Sequence, residues 1–473
     1  MASQGARSTT TPGLSLPTVL AFASASIPIQ ALVLAVSVHL PRYFASHIGL
    51  ELAVVGAAFA MVRLVDIPID VFLGTAMDRT RTRFGRYRVW LTLGSPVLMG
   101  GLYLILQADP STTQLGLAGM LLFLYVGYSM VYLSHLAWGG VLGPTYQQRS
   151  KVFGAIIGLG VAGAITVLII PVVVQRMGHS DGDGVRAMIW FIIGAIPLAV
   201  TLVLATTRER ITPQPAVVFR PADYLILLKR GNVLRLLAAD LCAVLGPGWM
   251  AALYLFYFKD SRGFDTASAN LLLMIYIGAG FAGAPLAAWI ANRIGKHRAL
   301  MASTTIYSLG LMILPMLPAG NFLAFIPGMF VVGAMASGFT VMIRALTGDI
   351  ADEIRLETGR EWMGLMYALT IGTTKIASGL SALTFVLLAQ IGYQAKAGAV
   401  NTPEAVQALQ LVYIVGPIVF VMLAGACFIG YRLTPERHAE IRRQLDARDA
   451  LNDPAAALET LTGDPELATG RAL

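Results

Sequence analysis

Charge is scarce in this chain. Only 13% of its 473 residues are Asp, Glu, Lys or Arg, roughly half the ~25% usual in soluble domains. Cysteine is scarcer still. Cys242 and Cys427 are the only two, and both sit inside apolar runs, which excludes a disulfide framework and any zinc-type spacing. No G-x-x-x-x-G-K-[ST] loop is present to cradle phosphates, so ATP is not the energy source. No Ser/His/Asp or metal-ligand constellation stands out either. Neither an enzyme, a bound cofactor nor a metal site is expected. The opening MASQGARSTTTPGLSL lacks the charged-then-apolar order of a cleaved leader and reads as a polar tail.

Apolar sequence fills the space instead. The chain is 56% hydrophobic, with a mean hydropathy of +0.70. Runs long enough to cross ~30 Å of hydrocarbon recur twelve times, near 17–41, 51–77, 89–108, 114–138, 152–175, 187–206, 233–258, 268–292, 299–318, 321–344, 362–391 and 408–432. The expected fold is an all-α membrane protein of twelve transmembrane helices. The expected divisions are a polar tail (1–16), a six-helix bundle (17–206), a central loop (207–232), a second six-helix bundle (233–432) and a tail (433–473).

The net charge of +8 sorts by side. Arg79, Arg81, Arg83, Arg86 and Arg88 follow span 2, Arg208 and Arg210 follow span 6, and Arg293, Lys296 and Arg298 follow span 8, whereas the loops after spans 3 and 9 hold no Lys or Arg. The positive-inside rule then puts both termini in the cytoplasm, in a plasma (bacterial inner) membrane. The basic excess is topology, not a nucleic-acid surface. The halves also echo each other: GTAMDRTRTRFGRYR (Gly74–Arg88) follows span 2, and AWIANRIGKHR (Ala288–Arg298) follows span 8. Such a repeat at equivalent places is the mark of a transporter built from two parallel repeats.

Against this background RLVDIPIDVFLGTAMDR (Arg63–Arg79) stands out. Arg63, Asp66 and Asp70 are three and four residues apart and share one helix face. A charge at mid-membrane costs about 2.5–3.5 kcal/mol on insertion scales, so these side chains should face the protein interior and pair. Like charges one turn apart make a trap for a proton or a small cation. A static ion-pair cluster is the plainer alternative.

The paired loops resemble the signature loop of the major facilitator superfamily. More narrowly, D-x-x-x-D followed by GTAMDRTRTRFGRYRVW, together with GDIADEIRLETGREWMGLMYALTIGTTK (Gly348–Lys375), resembles the glycoside–pentoside–hexuronide:cation symporters, the melibiose-permease family. The resemblance implies the major facilitator fold and alternating access, with a solute and a monovalent cation moving together. It implies a cation site at Asp66 and Asp70, with Arg63 and Lys375 at the family's matching basic positions. Sodium-coupled members carry an amide where Ile69 stands, a span-4 hydroxyl near Val131 and an aspartate near Ser134. Their absence favours H+ as the coupling cation, with Na+ as the alternative. The family's charged sugar clamp falls at Gln30, Ser134 and Ile157, so a galactoside is not expected. A glucuronide-like or less polar solute gains weight, and a lysolipid is the rival cargo.

Other candidate solute contacts come from the residues themselves. Tyr125, Tyr128, Tyr132 and His135 lie on one face of span 4, followed by Trp138; rings with polar tips can stack on a sugar and still hydrogen-bond. Interhelical packing is the alternative for each. Asp240 in span 7 precedes GPGW (Gly246–Trp249), which is expected to break or bend that helix and make it a gate; Asp240 is otherwise a hydrated acid beside Arg235. Asp78, Arg79, Arg86, Arg88, Arg293 and Arg298 are expected to form a conformational charge lock. The acids Asp349, Asp352 and Glu353 have no assignable partners, and the tail after residue 433 reads as a charged, solvated helix. A monomer in contact with membrane lipid is expected. A non-transporting sensor or scaffold is the reading from another class.

Overall fold

The computed structural model describes residues 14–143, 146–209, 221–396 and 398–451. The expected polar tail to residue 13, the central-loop residues 210–220 and the chain end past 451 lie outside the described residues. Among those described there is no strand, and twelve helices are long and apolar enough to span a membrane. They are span 1 (Leu16–Ile48), span 2 (Leu52–Arg79), span 3 (Tyr87–Leu106), span 4 (Gln114–Leu142), span 5 (Gln147–Arg176), span 6 (Asp181–Thr206), span 7 (Gly231–Ser261), span 8 (Thr266–Ile294), span 9 (Lys296–Met316), span 10 (Phe322–Thr358), span 11 (Met363–Gln390) and span 12 (Pro403–Ala426). The odd spans begin, and the even spans end, at the terminal end of the molecule.

Helix ends follow local chemistry. At the end opposite the termini, Thr113, Ser180, Asp265, Asn321 and Thr402 cap spans 4, 6, 8, 10 and 12 through their side chains, each satisfying an orphan N–H of the first turn. At the terminal end span 3 starts differently. Glu209, just beyond span 6, accepts from the backbone N–H groups of Arg86, Tyr87 and Arg88 at 2.9, 2.9 and 3.2 Å. Gly85 admits that carboxylate: its φ is 110°, and a Cβ there would lie 2.4 Å from Glu209 Oε2.

Two apolar cores form, one built mainly from spans 1–6 and the other from spans 7–12. Spans 2 and 11 join them. A Cβ on Gly56 would lie 2.9 Å from Phe385 Cβ and 3.0 Å from the Ala382 carbonyl, so only glycine lets these helices meet so closely.

Three expectations change. The helix of span 7 is not broken at GPGW but runs from Gly231 to Phe256. A Cβ on Gly246 would lie 2.5 Å from Val421, and one on Gly248 would lie 2.6 Å from Ser381 Oγ, so the motif serves close packing on spans 12 and 11. Span 10 does not stop near residue 344 but continues to Thr358. Ile350, Ala351 and Ile354 give that extension a buried face, and a helix over Pro435–Leu451 covers it with Ile441 and Leu445. The tail is therefore docked rather than merely solvated. Arg355 reaches Asp449 at 3.0 Å, and Arg442 reaches Asp352 at 3.4 Å.

Candidate coupling and solute site

The spacing of the span-2 charges has its expected geometric consequence. Asp66 is 1% exposed, and Lys375 of span 11 places Nζ 2.7 Å from its Oδ2. Arg63 Nη1 lies 3.7 Å from the same oxygen, and Ser129 Oγ donates to Oδ1 at 3.3 Å. Lys375 also pairs with Asp70, whose Oδ1 is buried without a hydrogen-bond partner among the described residues. One lysine thus bridges two carboxylates across the two bundles, and the carboxylates differ. Asp66 is held by three side chains from three helices. Asp70 is held by one, and it keeps an unfilled acceptor.

Ser129 was not among the residues singled out by sequence. The span-4 hydroxyl sought near Val131 is supplied two residues earlier, which removes part of the case against a metal-like cation. Its signal was available in the helix itself, since residues 125 and 129 share a face.

Arg63 points both ways. Its guanidinium stands 4.2 Å over the ring of Tyr125, a cation–π distance. Both residues line a cavity of about 350 Å3 between the bundles, walled by spans 1, 2, 4, 7, 8 and 11. Tyr128 and Tyr132 stack on each other with centroids 5.4 Å apart and planes 8° off parallel, next along the same face. Gln30 is exposed beside Gly160 of span 5.

The rest of the span-4 group turns away. Ser134 is fully buried and donates to the Met130 and Val131 carbonyls. His135 stacks on Phe22 at 4.6 Å and bonds its carbonyl at 2.9 Å. Trp138 is fully buried edge-on to Phe22. His135 and Trp138 knit span 4 to span 1, and Ser134 is spent on its own helix. Trp249 likewise donates its indole N–H to the Val412 carbonyl at 3.0 Å and packs on Phe420, tying span 7 to span 12. All four are placed in packing rather than against the cavity.

Asp240 is 4% exposed and accepts from the Thr373 hydroxyl. Arg235 is not its partner and reaches the Ile429 carbonyl at 3.4 Å instead. Arg344 of span 10, missed in the sequence because it sits alone in an apolar run, donates to Thr370 at 2.8 Å and lies over Tyr367.

The loop charges stay within their own bundles. Asp78 and Arg86 approach to 3.7 Å, Arg88 donates to the Leu204 and Thr207 carbonyls, and Arg293 lies over Trp289. Arg79 and Arg298 are exposed. The unassigned acids find partners: Asp349 with Lys296 at 2.5 Å and His438 at 3.3 Å, Asp352 with His438 at 3.1 Å, and Glu353 with Asn232 at 2.7 Å.

At the opposite end the bonds cross between bundles. Arg42 holds Asp260 through two bonds of 2.7 and 2.9 Å. Tyr393, from the same bundle as Asp260, donates to that carboxylate, while across the bundles Lys259 pairs with Asp181 and Ser46 donates to the Ala395 carbonyl at 2.5 Å. Gln175 accepts from the Ala267 N–H at 2.8 Å. These contacts close that end.

The sequence matches the MFS/sugar transport protein family over residues 21–435. The chain belongs to this family. It is a transporter, not an enzyme. Among curated members, the glucuronide carrier protein homolog of Escherichia coli (strain K12) is 26% identical over 425 residues, covering 86% of this chain and 90% of that one. The isoprimeverose transporter of Lactiplantibacillus pentosus is 23% identical over 444 residues, covering 88% and 89%. The putative glycoside/cation symporter YagG of Escherichia coli (strain K12) is 23% identical over 421 residues. Among solved structures, the nucleoside transporter NupG superposes with a TM-score of 0.63 at 15% identity, over 88% of this chain and 99% of that one. This likeness gives the major facilitator fold.

Proposed function

We propose that this transporter is a cation-coupled symporter whose coupling centre is Asp66, Asp70, Arg63 and Lys375. The observation that carries the reading is Lys375 bridging both aspartates across the two bundles. In the unloaded carrier the Lys375 ammonium and the Arg63 guanidinium together neutralise the two aspartates. A cation arriving at Asp70 competes with that ammonium, so loading and the inter-bundle contact are linked. Asp70, with one partner and an unfilled oxygen, is the exchanging carboxylate. Asp66 is the fixed one. Proton coupling is favoured, because a proton needs only the free acceptor on Asp70, whereas sodium needs several oxygens. Ser129 supplies one of these, so Na+ stays the alternative.

The cargo is an organic solute of the glycoside or glucuronide kind, bound in the cavity beside Arg63 and Tyr125. The basic loops put the termini in the cytoplasm of a bacterial inner membrane. The end closed by Arg42–Asp260 and Lys259–Asp181 then faces outward, and the carrier stands in its inward-facing state. Purified protein in proteoliposomes tests this. Uptake of a glycoside is expected under an imposed pH gradient alone. Uptake that follows sodium and ignores pH would replace H+ by Na+, and uptake indifferent to every cation would overturn the symport reading.

A further inference from the structure

The inter-bundle cavity has one feature the symport reading does not use. Its walls are mostly apolar, with Val36, Phe59, Met250, Leu273 and Phe385 among them, and among the described residues that line it Arg63 carries the only ionised side chain. Two of the five hydroxyls that line it are spent on the backbone. Ser37 donates to the Val33 carbonyl and Ser381 to the Ala377 carbonyl, at 2.8 and 2.9 Å. Beside Arg63 that leaves the hydroxyls of Tyr125, Tyr276 and Ser378 on otherwise apolar walls. Arg63 itself is loosely engaged. Its contact with Asp66 is 3.7 Å, against 2.7 Å for Lys375 on the same oxygen, and no other carboxylate lies within ion-pair reach among the described residues. A guanidinium has five N–H donors in a planar fork that fits a carboxylate or phosphate.

We infer that the cavity takes an amphipathic monoanion, a single carboxylate or phosphate on a partly apolar body, with Arg63 as the residue that reads the anionic group. The inference rests on the symport reading above and narrows its cargo. The charge count agrees. Arg63 and Lys375 balance Asp66 and Asp70, so the empty centre is neutral. One monovalent cation adds a positive charge, and one monoanionic solute removes it. The carrier then crosses between states uncharged both loaded and empty, which avoids the cost of moving net charge through a low-dielectric region. The solute also links mechanically to the coupling centre. An anion on Arg63 draws the guanidinium from Asp66 and leaves that carboxylate to Lys375.

The experiment uses the full chain in proteoliposomes with three probes: 4-nitrophenyl glucuronide, 4-nitrophenyl glucoside as its uncharged counterpart, and lysophosphatidylglycerol. The expected result is that an anionic probe binds at least roughly 10-fold more tightly than the glucoside, the range set by one charge-assisted hydrogen-bonded pair. Its uptake should follow the cation gradient and stay flat under an imposed inside-negative potential. Tighter binding of the lysolipid than of the glucuronide supports the same anion-reading cavity with a lipid source. Arg63→Gln should cut the preference for the anion over the glucoside roughly 10-fold or more, with Arg63→Lys between it and wild type. Equal weakening of both solutes would show a purely structural arginine and overturn the inference. So would wild-type protein that binds the glucoside as well as the acid, or acid uptake that accelerates with potential; these two hold even if the variant fails to fold. Cation-driven uptake of the neutral glucoside sinks this inference and leaves symport standing. Tight anion binding without cation dependence does the reverse.

Discussion

The two ends of this transporter use ion pairs in opposite ways. At the end away from the termini, Arg42–Asp260 and Lys259–Asp181 join one bundle to the other. At the terminal end, Asp78–Arg86, Lys296–Asp349 and Arg355–Asp449 each stay within one half of the chain or its tail. Among the described residues, every hydrogen bond or ion pair between bundles lies at mid-depth or at the closed end. The same side-chain types therefore do two jobs. Pairs that cross must break for the carrier to turn over, and pairs that do not cross only shape each bundle. The centre, where Lys375 meets Asp66 and Asp70, belongs to the first kind.

The sharpest way to break this contrast is at that centre. Asp70→Asn should lower accumulation against a gradient by on the order of 100-fold, while exchange of solute for solute persists, because Asp66 still holds Lys375 and Arg63. Asp66→Asn should lose accumulation and also folded yield. It leaves two cations with one remaining partner, and breaking a buried pair from one side costs about 3–5 kcal/mol. Uptake, counterflow and thermal unfolding of the two variants decide this. Full accumulation by either one would remove it from the coupling role.

A smaller effect is expected at the closed end. Asp260→Asn strips Arg42 and Tyr393 of their shared carboxylate, and a bidentate, partly buried pair of this kind is worth about 1.5–3 kcal/mol. The population should shift by roughly 10-fold or more toward the conformer open at that end. Labelling of a cysteine placed at Ser46 by a membrane-impermeant thiol reagent would read the shift. The wild-type gate should be flat with pH. Burial, and then the neighbouring Asp260 carboxylate, push the Tyr393 phenol above its usual value. Its donated bond is therefore fully present below the ordinary tyrosine range near 10 and is lost only as pH rises through the higher folded value. A labelling rate of Ser46→Cys that changes between pH 6 and 9 by more than the thiolate fraction of a free cysteine does would contradict this.

The difference between the ends was only partly legible in the sequence. Long apolar runs and sided arginines carry the twelve spans and the two halves, because the bilayer imposes length and charge rules that a single sequence displays. The span-2 charges Arg63, Asp66 and Asp70 were legible for a similar reason: a carboxylate in an apolar helix is conspicuous. Ser129 and Arg42–Asp260 were not. Each is ordinary in type, and its meaning comes from a partner on another helix, 63 residues away for Ser129 and 218 for Arg42. The aromatic stripe misled in part because Tyr125 and His135 both fit a polar-tipped face, yet only the structure shows Tyr125 against the cavity and His135 against Phe22. GPGW misled because proline suggests a break, whereas here the flanking glycines serve helix contact.

At the terminal end, a break in Lys296–Asp349 should matter less than one at Asp260, since both partners lie in the same half. Asp349→Asn is expected to change uptake by no more than about 3-fold, in line with the ~1 kcal/mol or less of a partly exposed pair.

The smallest effect on transport is expected from the tail helix. Leu445 is fully buried against the span-10 extension, and Leu445→Ala should cost about 2–5 kcal/mol locally. That loss falls on docking of Pro435–Leu451, not on any contact between bundles. Hydrogen exchange should therefore quicken over the tail helix and over Asp349–Thr358, while uptake changes by less than about 2-fold. If uptake fell as far as in Asp260→Asn, the tail would be acting across the bundles. The distinction between crossing and non-crossing contacts would then fail at the place where it predicts least.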